Sequence, residues 1–140
     1  MTIATVTTDI NMGPFVIPSN GQNMIMNNYA QRNNLKVELV IPEPIMSNKL
    51  ATLEWLNKEF KFSKIILCSI YQLPNTKNIS KVFLGSMKNV EFHFAIEGIK
   101  GKGEEFLLET IKEARIFMNA VKIDSKKTNW LELYDMLNKE

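Results

Sequence analysis

The chain has 140 residues, 45% hydrophobic and 23% charged, an ordinary globular composition that predicts one domain. Its 17 basic and 15 acidic residues leave a formal net charge of +2, which excludes a dedicated, strongly basic nucleic-acid binder and an acidic tail protein. The lone cysteine, Cys68, excludes an internal disulfide framework and a multi-thiolate metal site.

Ile3 to Thr8 is β-branched and reads as the first strand. Asp9 to Asn20 carries Gly13, Pro14, Pro18, Ser19 and Asn20 and reads as a loop of 12 residues. From Gly21 to Asn33 the spacing turns helical, with Ile25, Met26, Tyr29 and Ala30 on one face. Lys36 to Ile41 is the second expected strand, ended by Pro42 and Pro44, because proline donates nothing to a ladder. Ser47 stands where it would cap a helix running to about Phe60, with Leu50, Leu53, Leu56 and Phe60 on one stripe.

Ser63 to Ile70 contains a continuous apolar run, which suits a strand buried on both faces of a parallel sheet. Asn78 to Met87 is the third expected helix. Val90 to Ile96 is the fourth strand, and Gly101 and Gly103 then permit a turn. Glu104 to Val121 has the strongest helical pattern, with Phe106, Leu107, Ile111, Ala114, Phe117, Met118 and Val121 on its stripe. A last helix is expected from Thr128 to Asn138. Strands alternating with helices predict an α/β domain of three layers: a four-stranded, mostly parallel sheet with helices on both faces, plus the C-terminal helix.

In such sheets ligands bind beyond the carboxyl ends of the strands. Those ends carry Thr8, Glu43, Ser69, Tyr71 and Glu97, with His93 further down the fourth strand. The first loop leads through Ser19 to Gln22 and Asn23 at a helix start, which suits an anion; Ser19 and Asn20 equally suit plain helix capping. Glu43 and Glu97 could divide acid and base roles, with His93 as a general base, or serve as solvated glutamates and a structural histidine. One histidine and one cysteine do not make a metal site, so no metal or cofactor is expected. Cys68, inside an apolar run, reads as a small hydrophobe.

Two resemblances follow from these residues. The strand–helix order and the long helix after strand four resemble the catalytic domain of serine recombinases, a resolvase- or flavodoxin-like arrangement. In that family a serine and an arginine follow the first strand and an Asp-Arg pair follows the third. Here Thr7-Thr8 and Tyr71-Gln72-Leu73-Pro74 stand there instead, and the only arginines are Arg32 and Arg115. Without a guanidinium cluster to stabilise a phosphoryl transition state, the likeness implies a fold and not recombination.

The chain also resembles the sporadic carbohydrate cluster proteins of bacterial surface-polysaccharide loci. The matching segments are Ile17-Pro18 with Gln22-Asn23, Tyr29 to Leu35, Glu43, Leu67 to Pro74, and Phe92 to Gly98. In the first loop it departs from that family, with Thr7-Thr8 and Pro14-Phe15-Val16. The resemblance implies a setting in glycan assembly. The expectation is an enzyme or enzyme-like protein acting on a sugar or activated-sugar intermediate, with a carbohydrate or sugar phosphate as partner, Glu97, His93 and Glu43 as catalytic candidates and Thr8, Ser19, Gln22, Asn23, Ser69 and Tyr71 as binding candidates. The alternative is a non-catalytic subunit of a carbohydrate-biosynthesis complex.

No apolar run approaches the ~18–20 residues of a membrane span. Met1 to Gly13 has neither the basic residues nor the apolar core of a secretory signal. The expectation is a cytoplasmic protein with no membrane or nucleic-acid partner. Resolvase-like folds use the long helix for self-association, so the resemblance implies a homo-oligomer through Glu104–Val121.

Overall fold

The computed structural model describes residues 2–9, 12–43, 50–74 and 81–127, and the side chains of these except 51 and 121–127. Among these residues five strands form one sheet: β1 (Thr2–Thr8), β2 (Leu39–Glu43), β3 (Phe62–Leu67), β4 (Glu91–Phe94) and β5 (Ile99–Lys102). The order is β2-β1-β3-β4-β5, with the first four parallel and β5 antiparallel to β4. The helices are α1 (Ser19–Arg32), α2 (Ala51–Phe60), α3 (Lys81–Ser86) and α4 (Glu104–Lys127).

Alternate residues of each strand point to opposite faces. Ala4, Val6, Ile41, Ile65, Leu67, Phe92 and Phe94 line one face, where Leu53, Phe83, Leu84, Leu107 and Ile111 of α2, α3 and α4 cover them. Ile66 and Cys68 join the opposite cluster with Met26, Tyr29 and Ala30 of α1. Among the described residues, one helix therefore shields one face and three shield the other. No helix among the described residues is long and apolar enough to cross a membrane.

The fold class is the expected α/β arrangement, with local differences that have physical reasons. The sheet has a fifth strand where glycines suggested a turn: Ile99–Lys102 pairs with β4, and the turn is made by residues 95–98 with Gly98 at φ +68°. A Cβ on Gly101 would lie 2.5 Å from the Phe106 ring, so this glycine lets α4 pack onto the strand. Pro42 sits within β2 rather than ending it, tolerated because β2 is an edge strand. The expected third and fourth strands end early, at Leu67 and Phe94, as both chains turn at the sheet's rim. Strand β2 and helix α2 start later than expected, and α4 runs on to Lys127. The cap expected from Ser47, the first turn of the third helix and the helix expected from Thr128 to Asn138 lie outside the described residues.

Candidate functional site

The strand order reverses between β1 and β3, so their carboxyl ends form the switch point where open sheets bind ligands. Two buried glutamines occupy it. Gln22 accepts from Thr8 N–H through Oε1 and donates through Nε2 to the carbonyls of Thr8 and Ile17, each at 2.8 Å. Gln72 donates to Val6 O at 2.9 Å and accepts from the Cys68 and Ser69 N–H groups. Both amides are thus used at each end to fix backbone, and their burial makes this satisfaction obligatory.

Ser69 is buried and starts the 3-10 turn Ile70–Gln72. Its Oγ donates to Glu97 Oε2 at 2.8 Å and accepts from Tyr71 N–H. Glu97 Oε1 accepts from Ile70 N–H at 2.9 Å. The 95–98 turn that carries Glu97 is tied to the end of β3, because Ala95 and Ile96 donate to Leu67 O and Cys68 O. Tyr71 is half-buried among aromatic rings, edge-on to Phe15 and 6.0 Å from Phe117, and its ring covers Gly13. Burial and the Glu97 charge hold its hydroxyl above the usual phenolic range.

Glu43, only 2% exposed, belongs to the α2 side of the sheet, where Oε1 accepts from Leu53 N–H at 2.7 Å. Ser19 and Asn23 stand half-buried in the first turns of α1. Pro18 is the N-cap there and no side chain caps the helix, so Ser19 does not have the capping role that its position suggested.

His93 belongs to another network, beneath α1. Its Nδ1 lies 2.7 Å from the Tyr29 hydroxyl and its Nε2 2.5 Å from Glu91 Oε1. Lys64 Nζ approaches the same Glu91 oxygen at 3.5 Å. Burial holds the imidazole below its ordinary pKa, and the charges of Lys64 and Lys100 act the same way against the opposing pull of Glu91. Burial would raise Glu91, but the His93 hydrogen bond and Lys64 outweigh it and keep this carboxyl below the ordinary range.

The nine residues singled out from sequence therefore separate. Thr8 and Gln22 meet at one point, Ser69 and Glu97 at another beside Tyr71, while Glu43 and His93 serve opposite sides of the sheet. Sequence reasoning missed a cleft of about 440 Å³ between the end of α1 and the β4–β5 turn, lined by Tyr29, Arg32, Asn33, Ala95, Ile96, Gly98 and Lys100. None of the nine lines it, although His93 stands behind its Tyr29 wall. Two signals pointed there: Arg32 is one of only two arginines, and Tyr29 to Leu35 is a run already marked by resemblance.

The cleft brings two cations to a wall without carboxylates. Neither Arg32 nor Lys100 forms an ion pair among the described residues. The carbonyls at the end of α1, which would repel an anion, already have donors. Asn33 N–H and Nδ2 serve Tyr29 O, Leu35 N–H serves Ala30 O and Asn34 N–H serves Gln31 O. Ala95 and Ile96 supply an apolar wall, and Gly98 leaves its side open. Among the described residues no group of three or more His, Cys, Asp or Glu is placed to hold a metal ion.

No protein-family model matches the chain, and no curated protein does. Among solved structures, the chain is similar to the N-terminal catalytic domain of TP901-1 integrase, with a TM-score of 0.58 over 87% of this chain and 99% of that one, at 12% identity. At that identity the likeness shows the fold alone: the chain has the α/β architecture of a resolvase-like catalytic domain.

Proposed function

We propose that this protein recognises an anionic carbohydrate, a sugar phosphate or activated sugar of bacterial surface-glycan synthesis, in the cleft between α1 and the β4–β5 turn. The observation that carries the reading is the convergence of Arg32 and Lys100, neither ion-paired among the described residues, on a cleft of about 440 Å³. That volume falls within the roughly 300–1,000 Å³ of small-molecule sites. Arg32 offers a planar fork for a phosphate and Lys100 a mobile point charge. Asn33 can meet sugar hydroxyls, and Ile96 the apolar face of a ring. The glycan setting, in the cytoplasm, rests on the resemblance to the sporadic carbohydrate cluster proteins.

A non-catalytic role within a glycan-assembly complex is the second reading. It is favoured by the engagement of Gln22, Ser69, Gln72 and Glu97 in holding the protein's own backbone. Self-association through α4 belongs to this reading, because Ile116 and Phe117 of that helix are 59% and 48% exposed. Light scattering should then give a mass above the 16.1 kDa monomer.

Thermal unfolding with millimolar glucose 6-phosphate, a sugar nucleotide and glucose tests the main reading. A ligand at 100 times its Kd stabilises by about 2.7 kcal/mol, so the anionic sugars should raise Tm by several degrees. Glucose should not, and Arg32→Gln or Lys100→Gln should abolish the rise. No shift with any anionic sugar overturns the proposal.

A further inference from the structure

Behind the cleft wall lies a titratable chain of hydrogen bonds. A carboxylate only accepts, so the short contact between His93 Nε2 and Glu91 places the ring proton on Nε2. In the neutral ring Nδ1 is then an acceptor, and the Tyr29 hydroxyl donates to it. Tyr29 also lines the cleft. Lys100 belongs to both places: it lines the cleft and is the register partner of His93 across the β4–β5 ladder. The ionisable groups facing His93 are therefore Tyr29 from α1, Glu91 on its own strand, Lys64 from β3 and Lys100 from β5.

We infer that the cleft takes up its anionic sugar ester together with a proton, and that the proton resides on His93. The inference rests on the cleft being the anion site proposed above. Two effects act in the same sense. An anion seated against Lys100 cancels the positive field that this lysine exerts on the buried imidazole, and the ring then holds a proton more tightly. In the protonated ring both nitrogens donate. Tyr29 must then accept from Nδ1, which turns its own O–H out as a donor for an ester oxygen in the cleft. Glu91, already on Nε2, balances the new charge.

The coupling is reciprocal. If the anion raises the His93 pKa by about half to one unit, protonation raises affinity by about 3- to 10-fold. Affinity therefore rises as pH falls from 8 towards 5.

Glucose 6-sulfate is the suitable probe, because its charge does not change over that range and only the protein titrates. His93 is the only histidine of the chain, so its imidazole NMR signals need no assignment. The expected result is a His93 pKa about half to one unit higher in the saturated protein, with net proton uptake in calorimetry run in two buffers of different ionisation enthalpy. Lys100→Gln should raise the His93 pKa of the free protein, because it removes the lysine's field from the imidazole. Binding with the same Kd at pH 8 and pH 5 and an unshifted His93 signal overturns the coupling while leaving the anion cleft intact. Absence of binding at both pH values overturns the cleft and the coupling together.

Discussion

Glu43 closes β2, and its Oε1 accepts a hydrogen bond from the backbone N–H of Leu53, 2.7 Å away in the first turn of α2. Among the described residues no local side chain caps the helix, whose N-cap is Leu50, at φ +52° in the left-handed region. A side-chain oxygen from a neighbouring strand thus takes the role that Ser, Thr or Asp usually plays, accepting from one of the free N–H groups at the helix start. Glu43→Ala should cost about 1–3 kcal/mol in urea unfolding, because it leaves a buried donor unsatisfied. Glu43→Gln should cost less, since its amide oxygen still accepts. Affinity for glucose 6-phosphate should stay unchanged in both, because Glu43 and the cleft serve opposite faces of the sheet. Lost affinity at unchanged stability would return Glu43 to a binding role.

Glu97 accepts from the Ser69 hydroxyl and from Ile70 N–H at once. Ser69→Ala removes one of these bonds, and Glu97→Gln converts one carboxylate oxygen into a donor. The two substitutions share a partner, so their costs should not add. A double-mutant cycle should give a coupling of about 0.5–3 kcal/mol. A coupling of zero would mean that the pair does not hold the β3 end and the 95–98 turn together.

Stability should fall on mild acidification. His93 has a depressed pKa in the folded protein, mainly from burial, so below its ordinary value of 6.5 the unfolded chain binds more protons than the folded one. The stability from this group is complete above 6.5 and is lost as pH falls through the folded value. Glu91 adds loss of the same sign below 4.5, since the His93 bond and Lys64 overcome the effect of its burial. Urea midpoints at pH 7.5 and 5.5 should show a drop for the natural sequence and a smaller one for His93→Gln. Equal drops would mean that another group controls the acid limb.

The alternation of apolar runs with helical stripes was enough to read the parallel sheet and its helices, because each of those signals is local. Strand β5 was not legible. Its Ile-Lys-Gly-Lys has no buried alternation, and its pairing depends on a β4 residue as well as on the room that Gly101 leaves for Phe106. The run Ser63–Ile70 overstated β3, since the Ser69 cap turns the chain before the apolar residues end. Polar residues at the strand ends could be found by position, but not their partners: Gln22 reaches Thr8 across 14 positions, Ser69 reaches Glu97 across 28 and Gln72 reaches Val6 across 66. The cleft escaped for the same reason, since it joins the end of α1 to a turn that only β4–β5 pairing creates.

Cys68 offers a test of how tightly the β3 end is closed. It is fully buried in the cluster formed with α1, and its N–H is held by Gln72. Burial, reinforced by the Glu97 charge, pushes its thiol up to about 11. At pH 8 the thiolate fraction is then about one in a thousand, and a reagent must also wait for the strand end to open. Iodoacetamide should leave the native protein unlabelled over an hour at pH 8 and label it fully in urea. Glu97→Gln removes one of the two causes of the raised pKa and one anchor of the 95–98 turn, so it should speed native labelling. Fast labelling of the unaltered protein would show that the Gln72 and Glu97 contacts do not keep this end of the sheet shut.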